Sequence, residues 1–379
     1  MQVPPLVEPS PELSEPERRR YARHTRLVQV GDLGQRRLAA ARILVVGAGG
    51  LGSPALTYLA AAGVGTIGIV DDDVVELSNL HRQPLHGDAD LGRAKVDSAA
   101  DRLREVNPHV RIRRHPFRFS ADVALDLVRD YDLVVDGADN FATRYLVTDA
   151  CGLARIPHVW ASINTFAGQL SVWWAGRGPC YRCVFPQAPP AGSVASCAEA
   201  GVLGVLPGVM GALQAAEAVK LVTGAGDVAV GRIVLHDALM GTWDEVPVRA
   251  RPDCPLCGGR PTITEVVASD DAPRVPLVDA LAVAGRVGRQ GVVVLDVREP
   301  DELDEGRLEP SVHVPLGRLV TGAAAGQVAR WRAEGVEVIV YCRSGVRSAR
   351  AVSHLLDEGV SRAVSLDGGL LAWEEAHRS

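Results

Sequence analysis

Excess positive charge is missing from this 379-residue chain: 40 lysines and arginines face 46 aspartates and glutamates, for a formal net charge of -6. Without a basic footprint to neutralise phosphates, it does not read as a general nucleic-acid binder. A membrane-crossing run is missing too. A span takes about 20 mostly apolar residues, and the uncharged run over 200–216 is broken by Gly201, Gly204, Pro207, Gly208, Gly211 and Gln214. It reads as a buried loop and helix. Residues 1–20 are rich in proline and glutamate and have no apolar core, which excludes an ordinary secretory signal. Seven cysteines form an odd set. With no export signal they point to metal binding or catalysis in a cytoplasmic protein rather than to a disulfide framework. There is no internal repeat.

What is present is an α/β pattern. The chain is 47% apolar and 23% charged, and its length suits two or three domains of roughly 100–200 residues. Residues 1–19 read as a disordered lead, and 20–40 as helix from their leucine spacing. Arg42–Val46 is then a strand, followed by a glycine-rich turn and an apolar helix ending near Gly63. Thr66–Val70 is a strand closed by Asp71, 93–106 a helix, 131–135 a strand closed by Asp136, and 141–154 a helix that buries Cys151. Such alternation builds a mostly parallel sheet with helices on both faces. Five prolines over 247–275 break the pattern. A second α/β unit follows, with strands over 291–295 and 336–341 and a helix over 346–358.

Gly47-Ala48-Gly49-Gly50-Leu51-Gly52 fits G-x-G-x-x-G between a strand and a helix. Glycines let the backbone approach a phosphate, and the helix N-terminus favours its charge. Asp71, nineteen residues after Gly52, stands where a carboxylate accepts hydrogen bonds from a ribose. The turn alone favours a dinucleotide. A triphosphate needs cations, and Arg82 and Lys95 offer them, with Asp139 as a magnesium ligand.

The cysteines divide by spacing. Cys180-x-x-Cys183 and Cys254-x-x-Cys257 match a closed tetrahedral zinc site, structural rather than catalytic; a redox CxxC is the alternative. Counting the second pair with the first domain gives that domain 20–258, a linker 259–275, and a second domain 276–379. Cys342 opens Cys342-Arg343-Ser344-Gly345-Val346-Arg347 between a strand and a helix. Converging backbone N–H groups, the helix N-terminus, Arg343 and Arg347 all favour a thiolate or a persulfide. A phosphatase loop would set its arginine one position further on. Cys197 lies in a small-residue loop, either incidental or a carrier of a covalent intermediate.

Together these residues resemble a known family. Over 20–250 the chain is similar to the adenylyltransferases that activate ubiquitin-like sulfur carriers, the MoeB and ThiF type. The matching stretches are 20–24, 47–52, 71–83, Lys95, Asp139-Asn140, both cysteine pairs and 196–201. Over 276–379 it resembles a rhodanese domain through 295–300, 342–348 and 368–373. Fusion in this order resembles the MoeZ type. The resemblance implies a Rossmann-like α/β domain of the ThiF type with a mixed sheet and a structural zinc site, then a small α/β rhodanese domain.

It also implies ATP and Mg2+ held at Gly47, Gly49, Gly50 and Gly52, with Asp71 on the ribose, Asn79, Arg82 and Lys95 on the phosphates, and Asp139 beside Asn140 serving the metal. Arg23 would reach across from the partner subunit of a homodimer. A carrier protein ending in Gly-Gly would be adenylated. A Cys342 persulfide, charged by thiosulfate or a cysteine desulfurase, would then deliver sulfur, and Cys197 would free the thiocarboxylate. Molybdopterin, cysteine, thiamine and thio-sugar pathways all remain open for that carrier. Thr165 and Ala167 stand where many relatives have a basic and an acidic residue, Ala138 replaces a threonine, and Leu308-Glu309-Pro310-Ser311 lacks the usual Pro-Gly-Ala turn. Competing readings are an activator that stops at a thioester on Cys197, a carrier-binding scaffold with a dead ATP site, and an NAD oxidoreductase fused to a rhodanese.

Overall fold

The β-branched run Arg42–Val46 (β1) is buried from Ile43 onward and pairs in parallel with Thr66–Val70 (β2), Ile43 opposite Ile67 and Val46 opposite Val70. Runs buried on both faces like these belong to the middle of a helix-covered sheet. The computed structural model describes residues 1–189, 201–267 and 275–377. They form two compact units, residues 1–188 with 201–267, and residues 275–377.

The first unit holds an eight-stranded sheet. Besides β1 and β2 its strands are Arg111–His115 (β3), Leu133–Asp136 (β4), His158–Asn164 (β5), Ala167–Trp173 (β6), Arg232–Asp237 (β7) and Thr242–Pro247 (β8), in the order β3-β2-β1-β4-β5-β6-β7-β8. The pairs from β3 to β5 are parallel, and those from β5 to β8 antiparallel, so the sheet is mixed. The order reverses beside β1, with β2 on one side and β4 on the other. That switch point opens a crevice beyond the carboxyl ends of β1 and β4, where open α/β sheets bind ligands.

The helix Val205–Thr223 buries Leu206, Met210, Ala218 and Leu221. Among the described residues it has the length and apolar character of a membrane span, yet 56% of its most apolar window is buried inside the protein. Gly211 lets it close on the helix Gly52–Ala62, since a Cβ there would lie 2.3 Å from the Leu51 carbonyl oxygen.

Two expectations fail at the N-terminal end. The lead over 1–19 is not disordered: Val3 and Leu13 are buried, and the Leu6 N–H donates to the Leu221 carbonyl at 3.1 Å. Val3, Leu6, Val7 and Leu13 each find a slot, which average composition conceals. Residues 20–40 do not form one helix either. Glu15–Arg20 and Gly31–Ala40 are separate helices. Between them Tyr21 is buried and accepts a hydrogen bond from Asn107 Nδ2 at 2.8 Å, and the second helix opens on Gly31 at φ +59°.

The second unit holds a five-stranded parallel sheet of Leu277–Val278 (β9), Val292–Asp296 (β10), Val312–His313 (β11), Glu337–Tyr341 (β12) and Ala363–Leu366 (β13), in the order β11-β10-β12-β13-β9. Alternation along β12 sends Val338 and Val340 into one apolar layer, and Ile339 and Tyr341 into the other. Of the expected linker over 259–275, residues 268–274 lie outside the described residues.

Candidate functional site

Gly47 ends β1 with φ +89°, and a Cβ on it would sit 3.1 Å from the Gly137 carbonyl oxygen beyond β4. A Cβ on Gly52 would fall 1.9 Å from the Gly47 carbonyl oxygen. These two positions therefore require glycine. Gly52 begins the eleven-residue helix Gly52–Ala62, whose N-terminus faces the turn and favours an anion there. Asp71 closes β2 and braces the turn: Oδ2 accepts from the Ala48 N–H at 2.7 Å and Oδ1 from the Asp73 N–H at 2.8 Å. Each oxygen keeps a free lone pair for a further donor. Burial pushes the Asp71 carboxyl above the usual range, with Lys95 pulling the other way.

The cations lie on the segments around this turn. Lys95 opens the helix Lys95–Val106; its buried amine reaches Asp73 Oδ2 at 2.9 Å. Arg82 donates to the Ser78 carbonyl at 2.9 Å, and its own carbonyl oxygen lies 3.7 Å from where a Gly50 Cβ would be. Asn79 is buried and donates to Ser78 Oγ at 3.3 Å. Asp139 is exposed just past β4. Asn140 caps the helix Phe141–Ala154, its Oδ1 accepting from the Thr143 N–H at 2.8 Å, while its amide points to Asp139 at 3.4 Å. Where a threonine was expected, the Ala138 backbone N–H makes the turn, donating to Asp136 Oδ1 at 2.9 Å. Arg23 is exposed and makes no hydrogen bond or ion pair among the described residues.

The two cysteine pairs meet. Cys180 lies 3.7 Å from Cys183 and 3.5 Å from Cys254, and Cys183 lies 3.4 Å from Cys257, sulfur to sulfur. All four sulfurs fall within 4.8 Å of one another. A tetrahedron with metal–sulfur bonds of about 2.3 Å sets its sulfurs roughly 3.8 Å apart, so this donor set could hold zinc. The Cys183 thiol is held below its ordinary value, first by Cys180, with the Arg251 backbone N–H also pointing at its sulfur from 3.5 Å.

In the second unit Cys342 follows β12 and is buried, with the Ser348 hydroxyl 3.7 Å from its sulfur. Ser348 donates to the Gly345 carbonyl at 2.9 Å and accepts from Ser365 at 2.8 Å. Gly345, at φ +92°, turns the chain into the twelve-residue helix Val346–Asp357. The Leu370 and Leu371 N–H groups hold the carbonyls of Cys342 and Arg343 at 2.8 and 3.1 Å. Arg343 lines a depression of about 220 Å³ with Leu370, Leu371 and Glu374. Arg347 forms a two-pronged pair with Glu302 at 2.5 and 2.6 Å. Its charge is therefore largely matched within the protein.

Comparison with known proteins places the chain in a family. The model of the ThiF family matches residues 21–256, and that of the rhodanese-like domain residues 279–376. The probable adenylyltransferase/sulfurtransferase MoeZ of Mycobacterium tuberculosis is 44% identical over 98% of this chain and 96% of its own length. This chain belongs to the ThiF family. The adenylyltransferase and sulfurtransferase MOCS3 of Bos taurus is also 44% identical, over 98% of this chain and 88% of its own. The crystal structure of E. coli MccB shares the fold, with a TM-score of 0.58 at 22% identity over 66% of this chain and 75% of that one.

For a ThiF-family chain with a rhodanese-like domain, the expected enzyme class, adenylyltransferase and sulfurtransferase, is that of these relatives. Within the first unit the glycine turn, Asp71, Lys95 and the Arg82 backbone come together. Cys197 lies outside the described residues. Sequence reasoning gave no separate role to the polar residues behind the sites, which are buried except for the half-buried Glu302. Ser348, Ser365 and Glu302 act on the Cys342 loop, and Gln83 and His86 lie against the glycine turn. No spacing rule marks a lone buried serine or histidine; only contact does.

Proposed function

We propose that this protein is a cytoplasmic homodimer that activates a ubiquitin-like sulfur carrier with ATP and then replaces a carboxylate oxygen of its C-terminal Gly-Gly with sulfur. The observation that carries this reading is the presence in one chain of a braced nucleotide turn and a buried Cys342 at a helix N-terminus. A free carboxylate is a poor acyl donor because oxide is a poor leaving group. In the first step a carrier carboxylate oxygen attacks the α-phosphorus of ATP. The bond from that phosphorus to the bridging oxygen breaks, pyrophosphate leaves, and an acyl-adenylate forms.

Lys95, Arg82 and Asn79 would meet the phosphates, Asp71 the ribose, and Arg23 would arrive from the second copy. Positive groups already in place oppose charge that grows in the transition state without reorganising at that moment. Mg2+ at Asp139 would supply further neutralisation of the phosphates. Zinc on Cys180, Cys183, Cys254 and Cys257 would tie the chain after β8 to the chain after β6.

In the second step the terminal sulfur of a Cys342 persulfide attacks the acyl carbon, and AMP leaves with the bonding pair. A carrier–Cys342 acyl disulfide results. The Cys197 thiolate attacks the Cys342 sulfur of that bond, so the carrier leaves as a thiocarboxylate and a Cys197–Cys342 disulfide remains for an external thiol to reduce. Thiosulfate, releasing sulfite, or a desulfurase persulfide recharges Cys342.

The test is the intact mass of a Gly-Gly carrier incubated with this protein, ATP, Mg2+ and thiosulfate. The expected result is exchange of one oxygen for sulfur, lost in Cys342→Ala. A carrier left unchanged across a panel of carriers and donors would overturn the reading.

A further inference from the structure

One buried histidine touches the nucleotide turn from behind. His86 Nε2 lies 3.0 Å from the Ala48 carbonyl oxygen, and His86 Nδ1 lies 2.8 Å from Ser98 Oγ. A carbonyl only accepts, so Nε2 carries the proton and the neutral ring accepts from Ser98 at Nδ1. Burial, the largest influence on it, favours that neutral ring. Ser98 stands one turn after Lys95 on the same helix. Through His86, the helix that begins with Lys95 is therefore braced against the glycine turn.

The consequence follows from peptide geometry. The Ala48 carbonyl and the Gly49 N–H belong to one planar trans peptide and point in opposite directions. Holding the carbonyl inward, on His86, turns the Gly49 N–H outward. That N–H has no acceptor among the described residues. It therefore stands free for an anion at the N-terminus of the helix Gly52–Ala62. Asp71 fixes the preceding peptide through the Ala48 N–H. The Ala48–Gly49 peptide is the one at risk of turning over, because glycine tolerates either sign of φ. The Ser53 hydroxyl, 3.3 Å from the same carbonyl, is a longer and weaker second donor.

We propose that His86 is a positioning residue for nucleotide binding: by gripping the Ala48 carbonyl it aims the Gly49 N–H at a phosphate oxygen. This rests on the nucleotide reading of the turn and names a residue it does not otherwise use.

The test is calorimetric titration of ATP-Mg2+ into the full-length protein, with no carrier present. His86→Leu removes the donor and is expected to weaken binding about tenfold, equivalent to about 1.4 kcal/mol. His86→Gln, whose Nε2 can take the place of the ring Nε2–H, is expected to stay within about threefold of wild type. Ser98→Ala is expected to fall between them. Such rescue by glutamine would not come from a merely space-filling side chain. Unchanged binding in His86→Leu, or equal loss in the leucine and glutamine variants, would overturn the proposal. If His86→Leu fails to fold, His86→Asn, which lacks a donor at the ε position, replaces it with the same tenfold expectation. A wild type that binds no ATP sinks the positioning role along with the nucleotide site. A wild type that binds ATP but sulfurates no carrier sinks only the carrier reading, and the ratio between variants still decides the role of His86.

Discussion

Replacing Gly52 by alanine places a methyl group 1.9 Å from the Gly47 carbonyl oxygen and 2.8 Å from the Gly47 carbonyl carbon. Real Cβ contacts are essentially never under 3.0 Å, so the carbonyl must withdraw by about 3.0 minus 1.9, or 1.1 Å. Two hydrogen bonds hold that stretch in place, Gly47 N–H to Val70 O at 2.8 Å and Ala48 N–H to Asp71 at 2.7 Å. Losing them costs about 1 kcal/mol each. Forcing the methyl into a packed site costs about 1–3 kcal/mol more, so a total of about 3–5 kcal/mol is expected. At about 2–4 °C per kcal/mol for a unit of this size, the first unit should melt roughly 6–20 °C lower. Gly49→Ala is the internal control, because its methyl would meet only Gln83 Nε2, at an ordinary 3.7 Å. It should melt within about 2 °C of wild type, a surface-like change. Scanning calorimetry of the full chain reads both. A Gly52→Ala protein that melts with wild type, or a Gly49→Ala protein that melts with Gly52→Ala, refutes the reasoning.

Two further outcomes are expected. Elemental analysis should find one zinc per chain, and its removal by a chelator should lower the first unit's melting point; a metal-free protein that melts unchanged would show that the four thiols need no ion. In the second unit, burial pushes the Glu302 carboxyl up, but pairing with Arg347, the Glu299 N–H and the nearby Arg298 charge together outweigh it, leaving it below its ordinary value of 4.5. The stability this pair contributes, about 1.5 kcal/mol for charge-assisted hydrogen bonds, is therefore full above 4.5 and lost as pH falls through the lower folded value. Urea titrations should show Glu302→Gln destabilised at neutral pH and converging on wild type in acid, whereas a gap that widens on acidification would contradict the pairing.

Legibility in the sequence follows the physics of burial. Of the inner strands, β1, β2, β4, β10 and β12 are apolar runs covered on both faces and read directly, whereas β5, β6, β7 and β13, interrupted by polar residues such as Ser162, Gln169, His236 and Ser365, did not. The edge strands did not: β3 is Arg-Ile-Arg-Arg-His with only Ile112 facing its core, and β8 is exposed throughout. Neither has an apolar period to detect. The glycine turn and the cysteine pairs announced themselves because their chemistry fixes spacing along the chain. His86, Ser98, Ser365 and Glu302 did not, because their partners are distant in sequence, and only the fold sets the distance between them. The packed lead over 1–19 was hidden for the same reason, its partners being Arg36, Leu221 and Val228.

The four-thiol cluster joins residues 74 positions apart. At about 5–20 residues per second on the ribosome, Cys180 and Cys183 emerge roughly 4–15 seconds before their partners. For that interval the nascent chain carries a bare vicinal dithiol, the arrangement that oxidants close into a disulfide. Synthesis under oxidative stress therefore threatens this protein at a moment the finished molecule never revisits.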